Sequence, residues 1–221
     1  MVGRPTIKTP PSTEPIALTL VKQQLRFDVG DTSQDEYFNL LIGAARESAE
    51  TFTSRGYVTQ TIIEYYDHFP GAHVPLAAAI VGGAGVVPGF PYYAGRHRRH
   101  HHDYLEFSRS PLKSLTSIKY LDINGDEQTW DPSQYKLNDK QDPAQVSRLV
   151  NVCWPRTLPE PNSVYAEYVV GYSDDGSDTP NVVKQAMLLM IADWDANRLP
   201  VKMQSEAVTN LLLKNKVFYQ P

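Results

Sequence analysis

The densest run of chemistry-bearing side chains is Arg96-His97-Arg98-Arg99-His100-His101-His102-Asp103. Imidazoles at this density can ligate a transition metal, and together with the arginines they can meet a phosphate backbone. A metal site also needs ligands that converge from a fixed scaffold and partners that orient them, and a loop run supplies neither on its own. His97, His100, His101 and His102 therefore stand as candidate ligands beside two other readings: a contact with nucleic acid or an acidic protein surface, and a solvated basic loop. Other chemistry has less foothold. The chain contains no G-x-S-x-G, no G-x-x-x-x-G-K-[ST] and no H-E-x-x-H. Asp122, Asp126 and Asp193 read as turn residues and solvated faces. The one cysteine, Cys153, excludes an internal disulfide framework, cannot form a thiolate metal site alone, and reads as a small half-buried hydrophobe beside Trp154. No catalytic residue and no cofactor is expected.

The elements that carry these residues must come from a chain of 221 residues, 41% hydrophobic, with a net charge of −4. That length and composition can fill a sizeable core. Charges of both signs are scattered, so no basic footprint for tight nucleic-acid binding is present. The first residues, MVGRPTIKTPPSTEP, have neither an apolar core nor a cleavage pattern, and synthesis in a cytoplasm is expected. Val74 to Gly95 carries no charged residue, yet Pro75, Pro88, Pro91 and five glycines argue against a membrane-spanning helix. The segment is either a long mobile loop or an apolar-tipped loop that becomes ordered against another subunit. In the second case Val74, Ile80, Phe90, Tyr92 and Tyr93 would be its contact residues.

Ser33 to Gly56 reads as the central helix. Ser33 and Glu36 have the spacing of a capping box, and Gly56 would supply the left-handed residue at its end. Tyr37, Leu40, Leu41, Ala44, Ala45, Ser48 and Phe52 form one stripe, with Glu36, Asn39, Arg46, Glu47 and Glu50 outward. A short helix capped by Thr19 precedes it, with Lys22, Gln23 and Arg26 pointing out. From Val58 the period changes to two-fold: strands are expected at Val58–Asp67, Tyr104–Phe107, Leu115–Asp122, Glu127–Trp130, Tyr135–Asn138, Arg148–Val152 and Val164–Tyr172. Asn124-Gly125 makes a hairpin turn. Trp130, Trp154 and the tyrosines would pack in or around this β-region. Thr179-Pro180 restarts a helix with Val183, Ala186, Met187, Met190, Ile191 and Trp194 on its apolar face, and Ser205 starts a last one. The fold class is α+β: a helical bundle from N- and C-terminal helices (16–56 and 179–213) with an inserted antiparallel sheet or barrel (57–178) that contains the loop at about 70–103. An extended arm (1–15) and a docking tail (214–221) flank it. Val217, Phe218 and Tyr219 are the tail's expected partner contacts, and truncation after Lys214 is expected to leave the fold intact.

The order of these pieces resembles the head–tail connector (adaptor, head-completion) family of tailed bacteriophages. The resemblance rests on the turn Thr53 to Gly56, the strand Thr59 to Thr61, SRSPLKSLTSIKY at Ser108 to Tyr120, and NGDEQTW at Asn124 to Trp130. It continues through VYAEYVVGY at Val164 to Tyr172 and PNVVKQAMLLMIADW at Pro180 to Trp194. Together they span most of the chain from Pro15 to Leu213; the charge-free loop and the histidine run depart from the pattern. The resemblance implies a structural, non-enzymatic virion protein of the neck. Its partners would be a portal protein, copies of itself in a ring, commonly of twelve, and the next neck or tail-completion protein. Double-stranded DNA would pass through the channel without sequence-specific binding, and no membrane is involved. The alternative is a helix-decorated β-module that binds carbohydrate or nucleic acid.

Overall fold

The computed structural model describes residues 3–70, 104–197 and 205–217. Its elements run β1 (Arg4–Thr9), α1 (Leu18–Leu25), α2 (Asp35–Thr53), β2 (Gln60–Tyr66), β3 (Tyr104–Glu106), β4 (Leu112–Leu121) and β5 (Glu127–Thr129). After a 3-10 turn at Pro132–Gln134 follow β6 (Tyr135–Asn138), β7 (Gln145–Arg148), β8 (Val164–Val170), α3 (Asn181–Asn197) and α4 (Glu206–Leu213). The fold is α+β. Its two sheets are antiparallel, one in the order β1-β2-β8-β4-β5 and the other β3-β7-β6. Neither sheet closes on itself, so of the expected alternatives the sheet is found and the barrel is not.

The central strands follow from their sequences. In β2 and β8 alternate residues are buried, Gln60, Ile62, Glu64 and Tyr66 on one and Val164, Ala166, Tyr168 and Val170 on the other. Ile62, Tyr66 and the four β8 residues join Leu105, Phe107, Ile118, Val146 and Trp130 in one apolar cluster drawn from both sheets. A second cluster belongs to the helices: Val21 of α1, Phe38, Ile42 and Ala45 of α2, Met187 and Ile191 of α3, and Val208 and Leu212 of α4. Helices from both ends of the sequence thus share one core. The α3 face matches its expected residues, with Trp194 partly buried at its margin.

Five local expectations are corrected. The capping box does not form: α2 begins after Gln34 without a side-chain cap, and Ser33 donates its N–H to Asp31 Oδ1 at 2.9 Å instead. Ser54, not Gly56, is the left-handed C-cap (φ 57°). Gly56 is small for another reason, since a Cβ there would lie 2.7 Å from Val170 Cγ2. Thr19 does not cap α1, whose first amides are accepted by Ala17 O. The buried stripe of α2 is Phe38, Leu41, Ile42, Ala45, Arg46, Ala49, Glu50 and Thr53, so the expected stripe was rotated by one residue and Leu40 is 69% exposed. Lys22, expected outside, is buried, and its Nζ donates to Asp31 O at 2.7 Å and pairs with Asp35.

The N-terminal segment is more than an arm. Arg4 to Thr9 pairs with β2 as the outermost strand, all six residues exposed. Arg4, Pro5 and Lys8 are side chains that keep an edge from recruiting foreign strands. At the junction of sheet and helices, Gly171 has φ 132° and a Cβ would lie 2.6 Å from Thr59 N, so only glycine lets the chain leave β8 past β2. The strand expected at Arg148–Val152 is found at Gln145–Arg148 (β7) instead, and Leu149 to Val152 forms a tight turn with Asn151 left-handed (φ 67°).

Candidate functional site

His97, His100, His101 and His102, and the loop residues Val74, Ile80, Phe90, Tyr92 and Tyr93, lie outside the described residues, as do Phe218 and Tyr219. Val217 is described, and it is not offered to a partner: it is 4% exposed, and its N–H donates to Thr53 O at 2.9 Å. Beside it Arg55 Nε donates to Asn215 O, and Lys216 Nζ sits 4.8 Å over the Phe52 ring. The end of the described chain is fastened to the C-terminus of α2. Residues 214–217 follow α4, which packs against both α3 and α2, and they cross the last turn of α2.

Among the described residues no group of three or more His, Cys, Asp or Glu side chains converges as metal ligands would. The acidic residues met in the sequence have local roles. Asp122 Oδ1 accepts the N–H of Asn124 at 2.8 Å and of Asp126 at 3.1 Å, and these turn amides hold its carboxyl below the usual range. The positive φ that this turn needs is taken by Gly125 (φ 88°). Asp193 Oδ1 accepts from Asn197 Nδ2 at 2.8 Å. Cys153 is exposed, not half-buried. Trp154 stacks on Phe69 (centroids 5.1 Å apart) and Trp130 packs 4.9 Å from Tyr135, so Phe69 and Trp130 lie in the sheet core and Trp154 and Tyr135 border it.

Three buried carboxyls were missed by the sequence reading: Glu106, which accepts from Gln145 Nε2 at 3.3 Å, and the two that join separate elements, Glu50 and Glu64. Glu50 Oε1 accepts from Tyr57 N and Gln60 Nε2, each at 3.0 Å, and Oε2 from Arg46 Nη1 at 3.1 Å. Arg46 Nε reaches Glu14 at 2.9 Å, while Arg109 Nη1 donates to Glu50 O at 2.6 Å. Burial raises the Glu50 carboxyl, opposed first by the Tyr57 N–H and then by the Arg46 charge. The network ties α2 to the start of β2 and to the strand-free segment before β4. Glu64 Oε2 accepts from Ser108 N at 2.9 Å and from the Tyr168 hydroxyl at 2.5 Å. Each carboxyl accepts from amides and side chains of its own chain, which is the arrangement of a cross-brace between elements. Both residues are charged types at positions whose neighbours alternate or recur correctly for burial, and that period was the only sequence signal available.

The surface is where the described residues leave chemistry unmatched. Leu40 on α2, Ile123 in the β4–β5 turn (65% exposed) and Val150 after β7 (87% exposed) project apolar side chains into solvent from three different elements. Scattered single residues need no explanation, but a rigidly held one at a turn tip is a contact element in waiting.

The sequence matches no protein-family model and no curated protein. Its fold is similar to that of chains in three solved assemblies. One, described as the neck of an empty gene transfer agent (GTA) particle computed with C6 symmetry, superposes with a TM-score of 0.71 at 12% identity, covering 99% of this chain and 97% of that one. A second, from the virion of a native GTA particle, gives 0.69 at 13% identity over 98% and 97%. A third, from the neck of a native GTA particle computed with C12 symmetry, gives 0.60 at 14% identity over 98% and 97%. At these identities the likeness is one of fold, and it takes in both helical and β layers of the chain from end to end.

Proposed function

We propose that this chain is a structural, non-enzymatic protein of a virion neck, a head–tail connector that stands as a ring of identical copies beneath a portal. The observation that carries the reading is the end-to-end fold likeness to chains of GTA neck particles, in maps computed with C12 and C6 symmetry. In this reading twelve copies form the ring, and the helices brought together from both ends of the sequence form a bundle around the DNA channel. The outer face receives the next neck or tail-completion protein. DNA passes without sequence-specific contact, which suits a chain of net charge −4, because clustered cations would hold the phosphates in place. The protein is made in a host bacterial cytoplasm and ends in the neck between capsid and tail, without cofactor or membrane.

The test is to image, by cryo-electron microscopy, heads bearing the portal before and after addition of the purified chain. A ring of density below the portal, with particles then competent to accept tails, is the expected result. Necks that are complete without this polypeptide would overturn the proposal.

A further inference from the structure

A closed ring of identical subunits joined head to tail needs two different surfaces on each copy that fit one another. Two exposed features of the described residues, one with a basic setting and one with an acidic setting, are candidates for such a pair. The first is the Leu149–Asn151 turn. Leu149 N donates to Gln134 O at 3.0 Å, Val152 N to Leu149 O at 3.1 Å, and Arg148 Nη1 to Val152 O at 2.9 Å. These bonds fix the turn on the end of the three-stranded sheet and hold Val150 outward with most of its side chain in water. The chain on either side of it is basic: residues 134–156 carry Lys136, Lys140, Arg148 and Arg156 against Asp139 and Asp142, Asp142 is already paired with Arg55, and the β6–β7 register sets Lys136 and Arg148 on neighbouring strands at this end of the sheet. The second is the outward stripe of α2, where Glu36, Leu40 and Glu47 recur at helical spacing and Gly43 lies between them. Leu40 and Glu47 stand 69% and 70% exposed. The helix approach is acidic as well: residues 27–36 carry no Lys or Arg, and although Asp35 is paired with Lys22 and Glu47 with Arg46, Asp28, Asp31 and Glu36 add three further carboxylates.

We infer that in the ring the Leu149–Asn151 turn of one copy seats on the Glu36–Leu40–Glu47 stripe of the next, Val150 against Leu40 and the basic rim against the acidic one. This rests on the ring reading above. A small apolar centre with a charged rim of opposite sign is how specific protein contacts are built, the centre giving affinity and the rim orientation. The two patches differ in element, curvature and charge, so the contact propagates in one direction and cannot close as a two-fold dimer.

The experiment measures the concentration at which the full chain assembles, by analytical ultracentrifugation and electron microscopy, for wild type, Val150→Glu, and Val150→Glu with Glu36→Lys. Val150 is a turn tip, and unchanged circular dichroism and monomer melting will establish that each variant folds. Val150→Glu is expected to raise the assembly midpoint by about tenfold or more. Adding Glu36→Lys, which again opposes unlike charges across the joint, is expected to recover a large part of that loss. If the wild type forms rings and Val150→Glu forms them at the same concentration, the joint lies elsewhere and only this inference falls. If the single variant fails and the double does not recover, the assigned partner stripe is wrong. If wild type forms no ring alone or on portal-bearing heads, the neck reading falls and this one with it.

Discussion

Glu64 stands on β2 between Pro5 of β1 and Ala166 of β8, its carboxyl enclosed by the Tyr66 and Tyr168 rings and by the backbone at Ser108. It is wholly shielded from solvent. Burial is the largest influence and raises its pKa above the ordinary 4.5; the Tyr168 hydroxyl and the Ser108 N–H oppose it without cancelling it. The folded chain therefore holds this proton more tightly than the unfolded chain does. The stabilisation that comes from the neutral carboxyl is complete below the ordinary value and is lost as pH rises through the folded one. Glu64→Gln keeps an oxygen to accept from Ser108 and Tyr168 but has no proton to lose. Urea unfolding of both proteins from about pH 4 to pH 8 should show the variant gaining on wild type as pH rises. Parallel curves would mean that the carboxyl titrates in the fold as it does in the unfolded chain, in spite of its burial. Lowered carboxyls such as Asp122 and Asp174 act in the opposite direction, and they cancel in the difference between the two proteins.

At the scale of elements, α2 shows how an amphipathic helix is read correctly and still placed wrongly. Two stripes one residue apart are both apolar: Tyr37, Leu40, Leu41, Ala44 and Ala45, and Phe38, Leu41, Ile42, Ala45 and Ala49. The second also places the Glu50 carboxylate where Tyr57 N, Gln60 and Arg46 satisfy it, and Arg46 where Glu14 and Glu50 do. A buried ion pair with its own hydrogen bonds is tolerated inside, whereas sequence periodicity counts it as an outward face. Leu41 belongs to both stripes, and Leu41→Asp should unfold the helical layer, since an unpaired charge there meets only apolar neighbours. Leu40→Asp should leave monomer stability within about 0.5 kcal/mol. Thermal melts of the two variants decide the register of the helix, and equal losses would restore the first stripe. The strands were more legible than the helix ends. β6 has its expected bounds and β2, β4, β5 and β8 lie within a few residues of theirs, because a two-fold pattern bounded by turns has few competing readings. β1 was not legible. An edge strand paired on one side only needs no apolar alternation, and Arg4, Pro5 and Lys8 look like a tether. The candidate contact residues fared differently again: Val150 sat inside an expected strand, and no pattern announces a turn that a left-handed Asn151 makes.

For the whole molecule, the consequential fact is that the two ends of the sequence meet. α1 and α2 come before the sheet strands β2 to β8, α3 and α4 after them, and all four contribute to one apolar cluster. The sheet is therefore held between segments that must find each other across most of the chain, and whatever fastens the last helix to α2 closes the molecule. Residues 214–217 do this: Val217 is buried and bonded to Thr53 O, Asn215 O accepts from Arg55, and Lys216 covers Phe52. Where a docking tail was expected after Lys214, its described part, as far as Val217, is bound to the chain's own α2, and its loss should not leave the fold untouched. Truncation after Lys214 removes the burial of Val217, about 2 kcal/mol by area, and leaves Thr53 O and the Arg55 guanidinium short of partners at a half-buried joint. The expected outcome is a monomer destabilised by about 2–4 kcal/mol, seen as an earlier urea midpoint. Truncation after Val217 removes none of these contacts and should keep the stability that they give. Assembly defects are then separable by comparison: a loss shared by both truncations belongs to the residues beyond Val217, and a loss confined to the shorter chain belongs to the closure of the helical core. Equal stability of all three proteins would show that α4 is held by its own apolar face, Val208 and Leu212 against α2 and α3, without the clasp that follows it.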